Sequence, residues 1–120
     1  MSVEVVAATE ADYVPLYGHR PPYSMQGYTG RQGGEPAVMA GLYRAAGKNV
    51  MFLQTKGQPS PRLVVRVCKA ALDLARARGT RIFALRDEAL PTADGLLRHF
   101  GFQPVGMTTD GEVYQWHRQQ

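Results

Sequence analysis

Gln58-Pro59-Ser60-Pro61-Arg62 opens a run that closes at Gly79, and how that run is read decides the fold. Ser60 suits a helix N-cap, where its side-chain oxygen accepts from the first turn. Pro61 suits the first helical position, because the N–H that proline lacks has no intrahelical acceptor there. Gly79 suits the stop, where a left-handed backbone costs glycine little. Between them Val64, Val67, Cys68, Ala71, Leu74 and Ala75 recur at helical spacing. Arg62, Arg66, Lys69, Asp73 and Arg76 fall on the other side, so the spacing predicts a long amphipathic helix with a basic outer face.

Working outward toward the C-terminus, Arg81-Ile82-Phe83-Ala84-Leu85 reads as a strand. Thr92 to Phe100 reads as a second helix stopped by Gly101, and Phe102 to Thr108 as another strand. Asp110-Gly111 is a hairpin signal, returning Glu112 to His117 as the last strand. Toward the N-terminus, Pro36–Tyr43 and Asn49–Gln54 are apolar, β-rich runs joined by Arg44–Lys48, as in an antiparallel hairpin. Val3 to Ala8 suits a short strand, and Thr9-Glu10-Ala11-Asp12 resembles a capping box opening a short helix to about Tyr17. Gly18 to Glu35 carries five Gly and two Pro with little periodicity, which predicts a long loop. Tyr23, Met25 and Tyr28 make that loop too apolar for a floppy linker, so it is expected to be an ordered contact surface.

The 120 residues are the size of one domain, expected to span 1–120. With 44% hydrophobic and 20% charged residues the composition is globular, and no apolar run is long enough for a membrane span. Met1-Ser2-Val3-Glu4 lacks the basic start of a signal peptide, so a soluble intracellular protein is expected. Cys68 stands alone, which excludes an internal disulfide and a zinc knuckle. On the apolar side of its helix it reads as a buried structural thiol. The net charge of +4 favours anionic partners in general. His19, His99 and His117 are too scattered for a metal motif, and no metal is expected. Gln26 to Gly34 is glycine-rich but lacks a Walker lysine. No stacking-aromatic module accompanies the basic helix face, which argues against nucleic acid as a partner.

Strand, helix, strand, helix and hairpin in this order resemble the acyl-CoA half of the GNAT N-acetyltransferase superfamily. Ala70 to Gly79 is similar to the end of that family's main helix, and Ala93 to Phe102 to its motif before the penultimate strand. The resemblance covers roughly residues 36 to 117. It implies an α/β (α+β) fold: a central mixed, mostly antiparallel sheet flanked by helices, with a C-terminal hairpin. It also implies a pyrophosphate loop, whose glycines aim backbone N–H groups and a helix N-terminus at phosphate. Here the three motif positions hold Pro59, Arg62 and Val64, and none matches. Ser60, Arg62 and Arg66 are the residues left to hold an anion if acetyl-CoA binds.

In active relatives a Tyr before the Gly-Phe pair protonates the leaving thiolate, and here that position is Leu97. An Asn at the start of that helix maps to Leu90. Neither leucine donates a proton. His99, two residues from Leu97, points to another face, and Glu35, Asp87 and Glu88 read as solvated or capping carboxylates. No residue takes a catalytic assignment. The degenerate loop, with the hairpin from Thr108 to Trp116, is similar to small GNAT-like proteins encoded among bacteriophage virion genes. That similarity implies a non-catalytic virion structural or interaction component, without cofactor, located in host cytoplasm or virion. Its partners would be other virion or host proteins, or a second copy. The alternative is a divergent acetyl-CoA-dependent N-acetyltransferase acting on an amine.

Overall fold

A computed structural model describes residues 2–21, 24–45, 47–78, 81–85, 93–109 and 111–116. In chain order these form β1 (Val3–Ala7), α1 (Glu10–Tyr17), β2 (Met25–Gln32), β3 (Glu35–Ala45) and β4 (Lys48–Thr55). They continue as α2 (Pro61–Arg78), β5 (Ile82–Leu85), α3 (Ala93–His99), β6 (Phe102–Thr108) and β7 (Gly111–Trp116). Among the described residues the strands make one seven-stranded sheet in the order β1-β2-β3-β4-β5-β7-β6. The β4–β5 pair is parallel and the others antiparallel, so the sheet is mixed and mostly antiparallel, as expected. The C-terminal hairpin pairs Thr108 with Gly111; Asp110 and His117 lie outside the described residues, as do Gly79 and Thr92.

One element overturns its sequence reading. Residues 25–32, expected within a long loop, form β2, which pairs with β1 on one side and β3 on the other. The glycines that suggested a loop are there because neighbours come close. A Cβ on Gly27 would run into the backbone of Ala40 and Gly41. One on Gly30 would lie 2.8 Å from side-chain carbons of Leu63, Val38 and Val67. The glycines at the turn are Gly33 and Gly34, with φ of +59° and +82°.

Successive residues of β3 feed opposite faces of the sheet. Val38, Ala40 and Leu42 join the core beneath α2, while Met39 packs with Tyr13 and Leu16 of α1 on the other face. This two-sided burial explains the continuous apolar run of β3. The helix α2 buries Leu63, Val67, Cys68, Ala71, Leu72 and Ala75. The buried stripe is therefore rotated from the expected one: Val64 and Leu74 sit half-buried at its margins, because Gly30 admits Leu63 and Val67 into the closest contact. Leu96, Leu97 and Phe100 of α3 pack against the same core.

The helix α1 starts with the expected capping box. Asp12 N–H donates to the Thr9 hydroxyl oxygen and Thr9 N–H donates to the Asp12 carboxylate. Asp12 goes further: buried at 3% exposure, it also accepts from Thr29 Oγ1 at 3.2 Å and Arg31 Nη2 at 2.8 Å on β2. A helix-capping carboxylate thus doubles as the bolt between α1 and the sheet. Among the described residues no helix is long and apolar enough to cross a membrane.

Candidate functional site

The strand β4 leads into the segment that starts α2, which the resemblance marks as the phosphate loop. Backbone donors are the chemistry such a loop must supply. Lys56 N–H donates to Ala37 O at 2.9 Å, and Gly57 turns the chain at φ +68°. Ser60 N–H donates to the side-chain carbonyl of Gln32 at 2.6 Å, while Val64 N–H closes the first turn onto Ser60 O at 3.1 Å. Pro59 and Pro61 carry no N–H. Lys56, Pro59, Ser60 and Pro61 therefore have no N–H to offer a ligand. The segment thus offers a phosphate fewer backbone donors than its length suggests. Arg62 and Arg66 are exposed on one side of α2, four residues apart, and form no ion pair among the described residues. Val64, expected to crowd a phosphate, instead packs half-buried against the core.

Next to this segment the parallel ladder is short. It pairs Asn49 with Ile82, Val50 with Phe83 and Met51 with Ala84, while β4 runs on to Thr55. Beyond Met51 the described partner of β4 is β3 alone.

On α3, Leu97 packs half-buried against the core, consistent with a packing role. His99 is exposed, with its ring edge-on to Phe100 at 5.1 Å. Glu35 is exposed at the start of β3; Asp87, Glu88 and Leu90 fall outside the described residues.

A group that sequence reading missed lies beside α3. The Tyr114 hydroxyl, from a fully buried residue of β7, meets the carboxylates of Asp94 and Glu112, the latter at 3.1 Å. Asp94 also takes Arg98 Nε at 2.9 and 3.1 Å. Asp94 and Leu97 are three residues apart on α3, so the phenol reaches the turn next to the position that the resemblance marks for an acid. Its setting suits retention of the proton. Burial first, and then the two carboxylates, push the phenol up to about 12. Two negative neighbours also disfavour a thiolate beside them. The available signal was Tyr114 at an inward position two residues from Glu112; its link to Asp94 spans twenty residues and had no local trace.

Cys68 is buried, and burial pushes its thiol up to about 12, so it is a packing residue. Among the described residues no group of His, Cys, Asp and Glu is arranged to hold a metal. Of the expected contact residues, Met25 packs half-buried against the α1 core and Tyr28 against the α2 core, both from within β2. Tyr23 lies outside the described residues. Elsewhere, a shallow groove of ≈ 490 Å³ runs over β4, β5, β7 and β6, with Phe83 and Val113 in its lining. Along it Leu85 is 39%, Val105 52% and Met107 72% exposed.

No family model matches the chain, and no curated protein matches it. Among solved structures it is similar to the ribosomal-protein-S18-alanine N-acetyltransferase from Escherichia coli. The TM-score is 0.69 at 14% identity, over 96% of this chain and 93% of that one. At that identity the likeness concerns the fold, which is that of an N-acetyltransferase, with seven strands flanked by helices.

Proposed function

We propose that this acetyltransferase-like fold works by contact rather than by acyl transfer, as a virion-type structural or interaction component. The observation that carries the reading is the Ser60 N–H held by Gln32 between two prolines, in the segment where a cofactor's phosphates need free donors. Leu97 in place of a thiolate acid, and a Tyr114 phenol held protonated by two carboxylates, agree with it. The exposed Leu85, Val105 and Met107 along one groove supply apolar surface of the kind that partners cover. The partners that fit are other virion or host proteins, or a second copy, with no cofactor.

A second reading is a divergent acetyl-CoA-dependent transferase acting on an amine. The short β4–β5 ladder favours it, since β4 runs four residues past Met51, its last pairing with β5, and among the described residues leaves a strand edge where an acyl chain could pair. Release of free thiol from acetyl-CoA, followed with peptide amines and polyamines as acceptors, separates the two. Contact function is expected to give no release above the protein-free rate. Release that disappears on Arg62→Gln or Arg66→Gln would establish the transferase instead.

A further inference from the structure

A second basin lies at the opposite end of α2, where the β3–β4 hairpin and the start of β5 converge. It encloses ≈ 380 Å³ and is lined by Ser24, Gln26, Tyr43, Arg44, Asn49 and Arg78, among others. Arg44 is the cross-strand partner of Asn49, and Asn49 is paired in turn with Ile82, the residue after Arg81. Lys48 precedes Asn49 and stands 5.4 Å from the Phe83 ring. Arg44 of β3 and Arg78 of α2 therefore line one basin, while Lys48 lines the groove beside Phe83 and Arg81 precedes β5 at the same end of the sheet.

None of them is neutralised by a carboxylate among the described residues. Four other arginines are: Arg20 pairs with Glu10, Arg31 with Asp12 and Glu4, Arg76 with Asp73, and Arg98 with Asp94, whereas Arg62 and Arg66 on the outer face of α2 are not. The two guanidinium groups in the basin are held by neutral oxygens instead. Arg44 Nη2 donates to Gly47 O at 3.4 Å, and Arg78 Nη2 donates to the side-chain oxygen of Gln26. A neutral acceptor fixes a guanidinium without cancelling its charge, so both keep donors and a full positive charge for a ligand. The negative end of the α2 dipole explains why a cation stands at position 78, but not why Arg44 joins it.

We propose that this basin is a binding site for a small phosphate-bearing anion, held by Arg44 and Arg78. The hydroxyl of Ser24 lines the same basin as a neutral donor. The volume suits a phosphorylated small molecule, and the guanidinium planes suit bidentate contacts to phosphate oxygens. The site is separate from the start of α2. An α-helix rises about 1.5 Å per residue, which puts Arg78 roughly 24 Å along the axis from Arg62.

Isothermal titration with inorganic pyrophosphate tests this on the whole chain. Saturable binding is expected that weakens roughly tenfold or more in Arg44→Gln/Arg78→Gln and is unchanged in Arg62→Gln/Arg66→Gln. All four side chains are exposed, so the variants should fold, and circular dichroism with an unchanged melting temperature checks that. Absence of binding, equal binding by the Arg44/Arg78 variant, or loss in the Arg62/Arg66 variant overturns the proposal. A short single-stranded oligonucleotide that binds where pyrophosphate does not would also overturn it, in favour of a nucleic-acid surface.

Discussion

The side-chain oxygen of Gln32 accepts the backbone N–H of Ser60 at 2.6 Å, joining the end of β2 to the start of α2 across 28 residues. Gln32→Ala removes the acceptor and leaves a half-buried donor, at a cost of about 1 kcal/mol. The melting temperature should fall by roughly 4 °C for a domain of this size. Gln32→Glu keeps an acceptor and puts a negative charge at the helix N-terminus, so its melting temperature is expected to equal or exceed the wild type. Thermal unfolding of the two variants checks both signs, and an unaffected Gln32→Ala would remove the contact from the account.

Gly30 lets α2 lie directly on β2. Gly30→Ala would place a methyl carbon 2.8 Å from Leu63, Val38 and Val67, where something must shift. Overpacking of this kind costs about 1–3 kcal/mol. Gly33→Ala meets no atom within 4 Å but sits at φ +59°, so its cost is the smaller left-handed penalty of about 1 kcal/mol. Urea unfolding of both variants is expected to rank Gly30→Ala as the more damaging.

The buried Asp12 carboxylate sets an acid limit on stability. Burial pushes its pKa up, but hydrogen bonds from Arg31 and Thr9, with the Arg31 charge, outweigh that and hold it below its usual value. A lowered folded-state pKa means stability that is present above the unfolded value near 3.8 and lost as pH falls through the folded value. Asp12→Asn should cost about 2 kcal/mol at pH 7 and flatten the dependence below the unfolded value. Chemical denaturation from pH 7 down to pH 2 checks this, and an unchanged acid limb would contradict it.

Tyr114 sets the corresponding alkaline limit. Its phenol is raised from 10.0 to about 12, so the stability it contributes is complete below pH 10 and lost as pH rises toward 12. Tyr114→Phe should remove that limb and cost about 1–2 kcal/mol at pH 7, since Asp94 and Glu112 lose the donor between them. Spectrophotometric titration should show a late-titrating tyrosine that is missing from the variant.

Much of the fold is legible locally. Ser60 and Pro61 mark the start of α2, Thr9 and Asp12 the capping box of α1, and Thr108 to Trp116 the final hairpin. The strand β2 was hidden because its glycines answer to Ala40, Gly41 and Leu63, residues distant in sequence, while local rules assign glycine to turns. At the candidate site the sequence shows only that Pro59, Pro61 and Leu97 differ from what the resemblance implies, whereas Gln32 on Ser60 and Asp94 on Tyr114 are long-range pairings without a periodic trace. Arg44 and Arg78 likewise meet only once the sheet is assembled.

The most direct test of a contact function is calorimetric titration of acetyl-CoA into the Arg44→Gln/Arg78→Gln variant. In that variant phosphate groups of the cofactor can no longer use the basic basin, so any remaining heat reports the start of α2. No saturable binding up to about 1 mM is the expected result, a free energy weaker than about −4 kcal/mol. Saturable micromolar binding in that variant, abolished by Arg62→Gln/Arg66→Gln, would contradict the account and restore the cofactor site.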